Sequence, residues 1–200
     1  MFTGLIQTTA SITKKQANLL SLETKEDYFN DCKTGDSISV SGVCLTITEF
    51  SSRRASFFLS KETLARSRLD KAGIGSILNL EKAIGLNDRL GGHFLLGHID
   101  TTGRLLEKSN TLIRVGFGEE YRKLIIPKGS IGVDGISLTV TDLMRDEFTS
   151  YIIPETLSRT NLKTLHIGDE LNLEFDMFGK YIIQYLEALK TDSRLLDLMR

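Results

Sequence analysis

The residues of this chain best able to do chemistry are two histidines in GGHFLLGH, His93 and His98, a cysteine at position 44 inside a VCLTIT run, and the glutamates of a repeated ETL, Glu62 and Glu155. In an extended segment the odd spacing of His93 and His98 sends them to opposite faces, so they do not share an ion, and His166 stands alone. Cys44 with one histidine falls short of the usual ligand count, so no metal site is expected. What remains is proton transfer by an imidazole and addition or hydrogen bonding by a thiol. Val43, Leu45 and Ile47 alternate with Cys44, Thr46 and Thr48, which puts the thiol on a polar strand face where it can touch a ligand. An inert half-buried thiol and a hydrogen-bonded structural histidine are the plainer readings of Cys44 and His98. Glu62 and Glu155 can cap a turn or accept hydrogen bonds from a polar ligand, and spacing alone leaves function open.

The elements that must position these groups come in duplicate. Shifting residues 1 to 93 forward by 93 positions gives 26 identical pairs without a gap, against roughly one in fifteen for unrelated chains. Val40, Gly42, Leu45, Thr46 and Thr48 fall on Val133, Gly135, Leu138, Thr139 and Thr141; Leu78 to Glu81 recurs as Leu171 to Glu174. The repeat predicts two similar domains, 1–93 and 94–186, with residues 187–200 as the end of a helix that starts near 178. Two similar pockets suit two similar ligands, or one ligand taken twice. Short β-rich segments with 17 glycines, 2 prolines and no tryptophan predict a small antiparallel barrel in each half. Ile136, Leu138 and Val140 repeat the apolar face, Ser137, Thr139 and Thr141 the polar one. Asp134-Gly135, and more weakly Ser41-Gly42, signal tight turns ahead of these strands. Short helical pieces are expected around 25–32 and 119–125, and the glycines of GGHFLLG read as the turn between domains. Ile182, Tyr185, Leu186 and Leu189, continued by Leu195, Leu196 and Met199, give the tail an apolar helical stripe that must be covered, either by its own barrel or, the favoured reading, by sister chains.

Composition excludes several classes. With 25 basic and 26 acidic side chains and no basic block, the chain lacks the footprint of a nucleic-acid binder. No run approaches the ~18 apolar residues of a membrane span. Cys32 and Cys44 are the only cysteines and have no counterparts in the second half. Two reduced thiols and no charged leader are the pattern of a soluble cytoplasmic protein.

Five motifs in order, MFTGLI, SGVCLTIT at Ser41 to Thr48, GGHFLLGHIDTTG at Gly91 to Gly103, KGSIGVDGISLTV at Lys128 to Val140 and IPETLSRTNL at Ile153 to Leu162, resemble the riboflavin synthase α-chain family. The resemblance spans almost the whole chain. It implies an all-β fold of two tandem six-stranded Greek-key antiparallel barrels followed by a trimer-forming C-terminal α-helix. The implied activity is four-carbon transfer between two molecules of 6,7-dimethyl-8-ribityllumazine, without cofactor or metal, giving riboflavin and 5-amino-6-ribitylaminouracil. A donor and an acceptor that are the same compound explain the repeat. The family further implies a homotrimer with its productive site between the first domain of one chain and the second domain of a neighbour, and leaves association with lumazine synthase open.

Carried over by position, the resemblance places the first-domain pocket on Gly4, Leu5 and Ile6, on Val43, Cys44 and Leu45, and on Phe58, Leu59, Ser60, Lys61, Glu62 and Thr63. The second-domain pocket falls on Gly97, His98 and Ile99, on Lys128, on Ser137, Leu138 and Thr139, and on Ile152, Ile153, Pro154, Glu155, Thr156 and Leu157. His98 is the candidate base; Cys44 and Ser37 are candidates to add to the acceptor ring, position a water or hydrogen-bond the adduct, with positioning ranked first. Ser41 stands where the family commonly has asparagine, and Gln7 where glutamate is frequent. The chief rival reading is a non-catalytic lumazine or flavin carrier on the same scaffold, which needs only one intact pocket. A flavin-dependent reductase would need a nicotinamide-binding domain, of which the sequence has no sign.

Overall fold

A computed structural model describes residues 1–191; Leu195, Leu196 and Met199 of the expected tail stripe lie outside them. The first half folds into β1 (Thr8–Gln16), β2 (Leu19–Thr24), β3 (Ser37–Val40), β4 (Val43–Phe50), β5 (Arg54–Phe58) and β6 (Ile77–Lys82). These close into a barrel in the order β1-β2-β5-β4-β3-β6, and the neighbours are antiparallel. The alternation read in β4 holds. Val43, Leu45 and Ile47 are buried with Leu20, Leu22, Phe57 and Leu80, while Thr46 and Thr48 are exposed. Each such aliphatic or aromatic side chain contributes about 1.5–3 kcal/mol.

The second half has β7 (Thr101–Lys108), β8 (Leu112–Gly116), β9 (Ser130–Val133), β10 (Ile136–Thr139), β11 (Asp142–Leu143), β12 (Glu147–Tyr151) and β13 (Glu170–Phe175). Their order, β10-β9-β13-β7-β8-β12-β11, repeats that of the first barrel, with β10 and β11 as two pieces of the counterpart of β4. The sheet therefore curls around its own core without an unbroken closing strand. The interruption matches a bulge in β4: there Thr48 Oγ1 donates to Ser56 O at 2.9 Å, and here Thr141 Oγ1 donates to Thr149 O at 3.0 Å.

Among the described residues two short α-helices connect strands and a third follows the last strand. α1 (Lys61–Arg66) is capped by Ser60, whose hydroxyl accepts from Thr63 N at 3.0 Å, and α2 (Pro154–Arg159) starts on the proline that favours a first helical turn. The ETL repeat is thus a pair of six-residue helices. α3 (Met177–Thr191) is the tail helix. Residues 119–124 form a short 3-10 helix, as expected in outline. Residues 25–32 form turns instead, because Tyr28 N bonds to Glu26 O and Cys32 N to Phe29 O, contacts too short in sequence to start an α-helix.

The two barrels meet at their hairpins. Ser41 and Gly42 have φ of 46° and 85°, Asp134 and Gly135 have 47° and 78°, so both are the left-handed two-residue turns the sequence signalled. A Cβ on Gly42 would lie 2.8 Å from Gly135 N, and one on Gly135 would lie 2.6 Å from Gly42 N. Around this contact Asp134, fully buried, takes Arg68 Nη2 at 2.7 Å and Asn161 Nδ2 at 2.6 Å, and Asn172 Nδ2 donates across to Ser41 O at 2.8 Å. The serine at 41 keeps the turn behind Cys44 intact.

Candidate active site

The segments preceding the two barrels exchange places. Phe2 and Leu95, counterparts in the repeat, pair through Phe2 N to Leu95 O at 2.8 Å and Leu95 N to Phe2 O at 3.1 Å. Beyond this pair each chain runs onto the other barrel: Ser137 N donates to Gly4 O and Cys44 N to Gly97 O, both at 2.9 Å. Ile6 packs against the second core and Ile99 belongs to the first. GGHFLLG is thus more than an inter-domain turn. Both crossing glycines are obligatory, since φ is +78° at Gly4 and +81° at Gly97, and a Cβ would sit 2.5 Å from that of Ser137 or Cys44 respectively.

Two buried carboxyls hold the crossings. Glu81 accepts from Thr3 N at 2.7 Å and Gly4 N at 3.0 Å, and Glu174 accepts from Leu96 N at 2.8 Å and Gly97 N at 3.1 Å. Burial pushes both above the usual carboxylate range, against the pull of those donated hydrogen bonds.

The exchange corrects the pocket grouping carried over from the family resemblance. His98 stands beside Cys44 of the first barrel, and Leu5 stands with Ser137 of the second. A cavity of about 440 Å³ is lined by Val43, Cys44, Ser60, Glu62, Thr63, Gly97, His98 and Ile99, all named from the sequence, and also by Arg66, Ser67 and Asp100. Its size suits one heteroaromatic ligand. Asp100 was missed although it ends the GHID motif; its carboxylate accepts from Phe175 N at 2.8 Å and from Lys180 Nζ of α3 at 2.9 Å. Arg66, shared with Arg159 in the repeat, pairs with Glu62 at 3.4 Å on the rim. The cavity therefore joins a thiol and an imidazole to a polar margin of both charges.

Not every expected residue reaches it. Leu45 and Leu59 point into the first core, and Leu138 and Ile152 into the second, because strand alternation puts them on inward faces. Phe58 and Lys61 are exposed outside the cavity lining. Ser37 lies across the ladder from Thr46, two pairs beyond Ser39 and Cys44, and is not in the lining. On the second barrel Thr139, Ile153, Pro154 and Glu155 are exposed, Thr156 and Leu157 half-buried. Lys128 has φ +64° where the first repeat has Gly35 at +97°. A left-handed lysine costs about 1–2 kcal/mol, so the side chain there answers to something other than backbone ease. His93 and His98 serve different barrels, and no cluster of three or more potential metal ligands occurs among the described residues. A larger groove of about 500 Å³ between the domains contains no expected residue; of its cations Arg68 is matched to Asp134 and Lys71 to Glu170, and Arg104 donates to Gly168 O at 2.9 Å.

The lumazine binding domain model matches residues 3–83 and again 96–176. The chain is 42% identical over 200 residues to riboflavin synthase of Actinobacillus pleuropneumoniae, covering 96% of this chain and 93% of that one. It is 39% identical to riboflavin synthase of Bacillus subtilis, over 93% and 90%, and 35% identical to that of Escherichia coli, over 94% and 93%. LumP complexed with 6,7-dimethyl-8-(1'-D-ribityl) lumazine shares the fold, with a TM-score of 0.78 at 21% identity over 88% of this chain and 99% of that one.

Proposed function

The chain, with its two lumazine-binding domains, belongs to the riboflavin synthase family, and from that premise we propose how its residues turn two molecules of 6,7-dimethyl-8-ribityllumazine into riboflavin and 5-amino-6-ribitylaminouracil. The two products account for every atom of the two substrates, so the transfer of four carbons needs no external oxidant or reductant. The enzyme is a transferase. The C7 methyl of the lumazine is acidic because its carbanion delocalises into the ring, and a weak base at neutral pH removes the proton. His98 is that base. The acceptor needs a nucleophile or water added to its ring, which Cys44 positions; Ser37, outside the cavity lining on the adjoining strand β3, is the further residue the family resemblance assigns to this step. Glu62, Thr63, Arg66 and Asp100 suit the hydroxyls of one ribityl chain; Lys128, Glu155 and Thr156 suit the other.

The observation that carries this reading is the crossing at Gly97, which delivers His98 from the second repeat to Cys44 of the first. The cavity has room for one lumazine, so the second must be presented by a facing surface. We assign that role to the Ser137 side of a neighbouring chain in a homotrimer. α3 supports the assignment: Phe178, Tyr181, Ile182, Tyr185 and Leu186 are all exposed and share one stripe, a face that sister helices would cover. No helix among the described residues is long and apolar enough to cross a membrane. The thiols of Cys32 and Cys44 are free, and a reducing cytoplasm is part of the proposal.

Mixing the protein with 6,7-dimethyl-8-ribityllumazine and no metal, nicotinamide or flavin should yield one riboflavin per two substrates consumed. Tight binding without riboflavin would move the chain to the carrier class.

A further inference from the structure

The two pockets acquire their histidines by different routes. In the first, His98 arrives on the crossing segment. Its counterpart in the second is Leu5, which has no proton to exchange. The second barrel still has an imidazole beside its counterpart of Cys44. His93, from the connector between the repeats, sets Nδ1 2.6 Å from the hydroxyl of Ser137, itself the counterpart of Cys44.

The contact is built rather than incidental. His93 is only 9% exposed, and its backbone N donates to Thr3 O at 3.1 Å. Its Nε2 is buried with no hydrogen-bond partner, an arrangement native interiors seldom keep without a use. The connector is pressed onto the barrel: a Cβ at Gly92 would lie 2.1 Å from Thr3 O and 2.9 Å from Ser137 Cβ, so glycine there lets the ring reach the hydroxyl. Burial holds the imidazole pKa below its ordinary value, with Asp176 pulling the other way.

We propose that His93 is a positioning residue for the second lumazine pocket, fixing the Ser137 hydroxyl in one orientation so that its remaining hydrogen-bonding capacity faces the ligand. The proposal rests on the reading of Ser137 as a ligand contact. A free serine hydroxyl samples several staggered positions, and the hydrogen bond to Nδ1 selects one of them. Ser137 then enters the reaction already aligned, as Cys44 is aligned by Gly97.

The test is a double-mutant cycle on the intact protein, with lumazine and riboflavin dissociation constants, kcat and KM, and the unfolding midpoint measured for each variant. Ser137→Ala and His93→Phe should each lower kcat/KM about three- to tenfold, the scale of one neutral hydrogen bond. The double variant should be no worse than Ser137→Ala alone, and His93→Asn, which keeps an amide nitrogen near the position of Nδ1, should recover most of the loss. Losses that multiply in the double variant would overturn the proposal, because His93 would then act by packing and not through Ser137. Should His93→Phe not fold, His93→Gln, whose amide sits nearer Nε2, takes its place in the cycle. A Ser137→Ala enzyme with unchanged kinetics and binding would overturn both this proposal and the ligand role of Ser137; an impaired Ser137→Ala with a multiplicative cycle overturns the role of His93 alone.

Discussion

A methyl group at Gly97 tests the crossing on which the Cys44 and His98 site depends. Its Cβ would lie 2.5 Å from Cys44 Cβ and 2.8 Å from Cys44 N. Carbon atoms pack at about 3.5–4.0 Å, so segment and strand must separate by roughly 1 Å. Three costs follow. The φ of +81° is unfavourable for alanine by about 1–2 kcal/mol. Overpacking adds about 1–3 kcal/mol. Separation also strains the 2.9 Å bond from Cys44 N to Gly97 O. Together the loss of stability should be about 2–5 kcal/mol, read by urea unfolding. A misplacement of ~1 Å at a reacting group costs on the order of 100-fold in turnover, read as riboflavin formed per unit time on protein that is still folded. Gly75→Ala is the control: its φ is +86° but nothing lies within 4 Å of the added carbon. It should lose about 1–2 kcal/mol and keep its turnover. If Gly97→Ala loses no more turnover than Gly75→Ala, the crossing does not set the catalytic geometry and the reasoning fails.

Cys44→Ala and His98→Ala should lower turnover far more than ligand affinity, with the His98 change on the scale of ~10²-fold or more for a lost general base; wild-type turnover in both would return them to structural roles. Cutting the chain after Lys180 leaves both barrel cores and the Lys180 contact to Asp100, so folding and lumazine binding should persist. Activity should fall much further and rise again with protein concentration, whereas full activity independent of concentration would place the whole site in one chain. Burial raises the Glu174 carboxyl, so folding favours its protonated form: that stabilisation is complete below the unfolded value of about 4.3 and is lost as pH rises through the raised folded value. Wild type should therefore gain stability relative to Glu174→Gln as pH falls from 7 toward 4.5, and parallel pH profiles would contradict the assignment.

The barrels were legible because β-strand alternation is local: VCLTIT and ISLTVT each declare which face is apolar, and the 93-residue shift aligns them. Partner choice was not legible. A repeat says that Gly4 corresponds to Gly97, but both segments cross together, so the alignment is the same whether each lies on its own barrel or on the other. The six-residue helices α1 and α2 are too short to show a helical period, and only the cap Ser60 and the first-turn proline Pro154 mark them. Asp100 escaped because its role needs Lys180 and Phe175, brought to it from far along the chain. His93 was read against His98 for a shared metal, whereas its partner is a serine 44 residues away.

Where the repeats differ bears on how one fold serves two roles. Equivalent pockets would bind two lumazines equally well, yet donor and acceptor need different help, one losing a proton and the other gaining an adduct. Three of the many differing positions fall on residues proposed for the two sites or on their counterparts: Cys44 against Ser137, His98 against Leu5, Gly35 against Lys128. Matching residues, Glu81 with Glu174 and Gly4 with Gly97, hold the scaffold that presents those positions. The strained backbone of Lys128 fits this division. Glycine suffices at that point of the first repeat, so the second bears about 1–2 kcal/mol for an ammonium group that its turn does not require. Lys128→Gly should accordingly leave stability level or higher while weakening the lumazine held by the second barrel, which separate titrations of the two sites would resolve. A stability loss with unchanged binding would mean that the lysine stem, and not its charge toward a ligand, is what the position keeps.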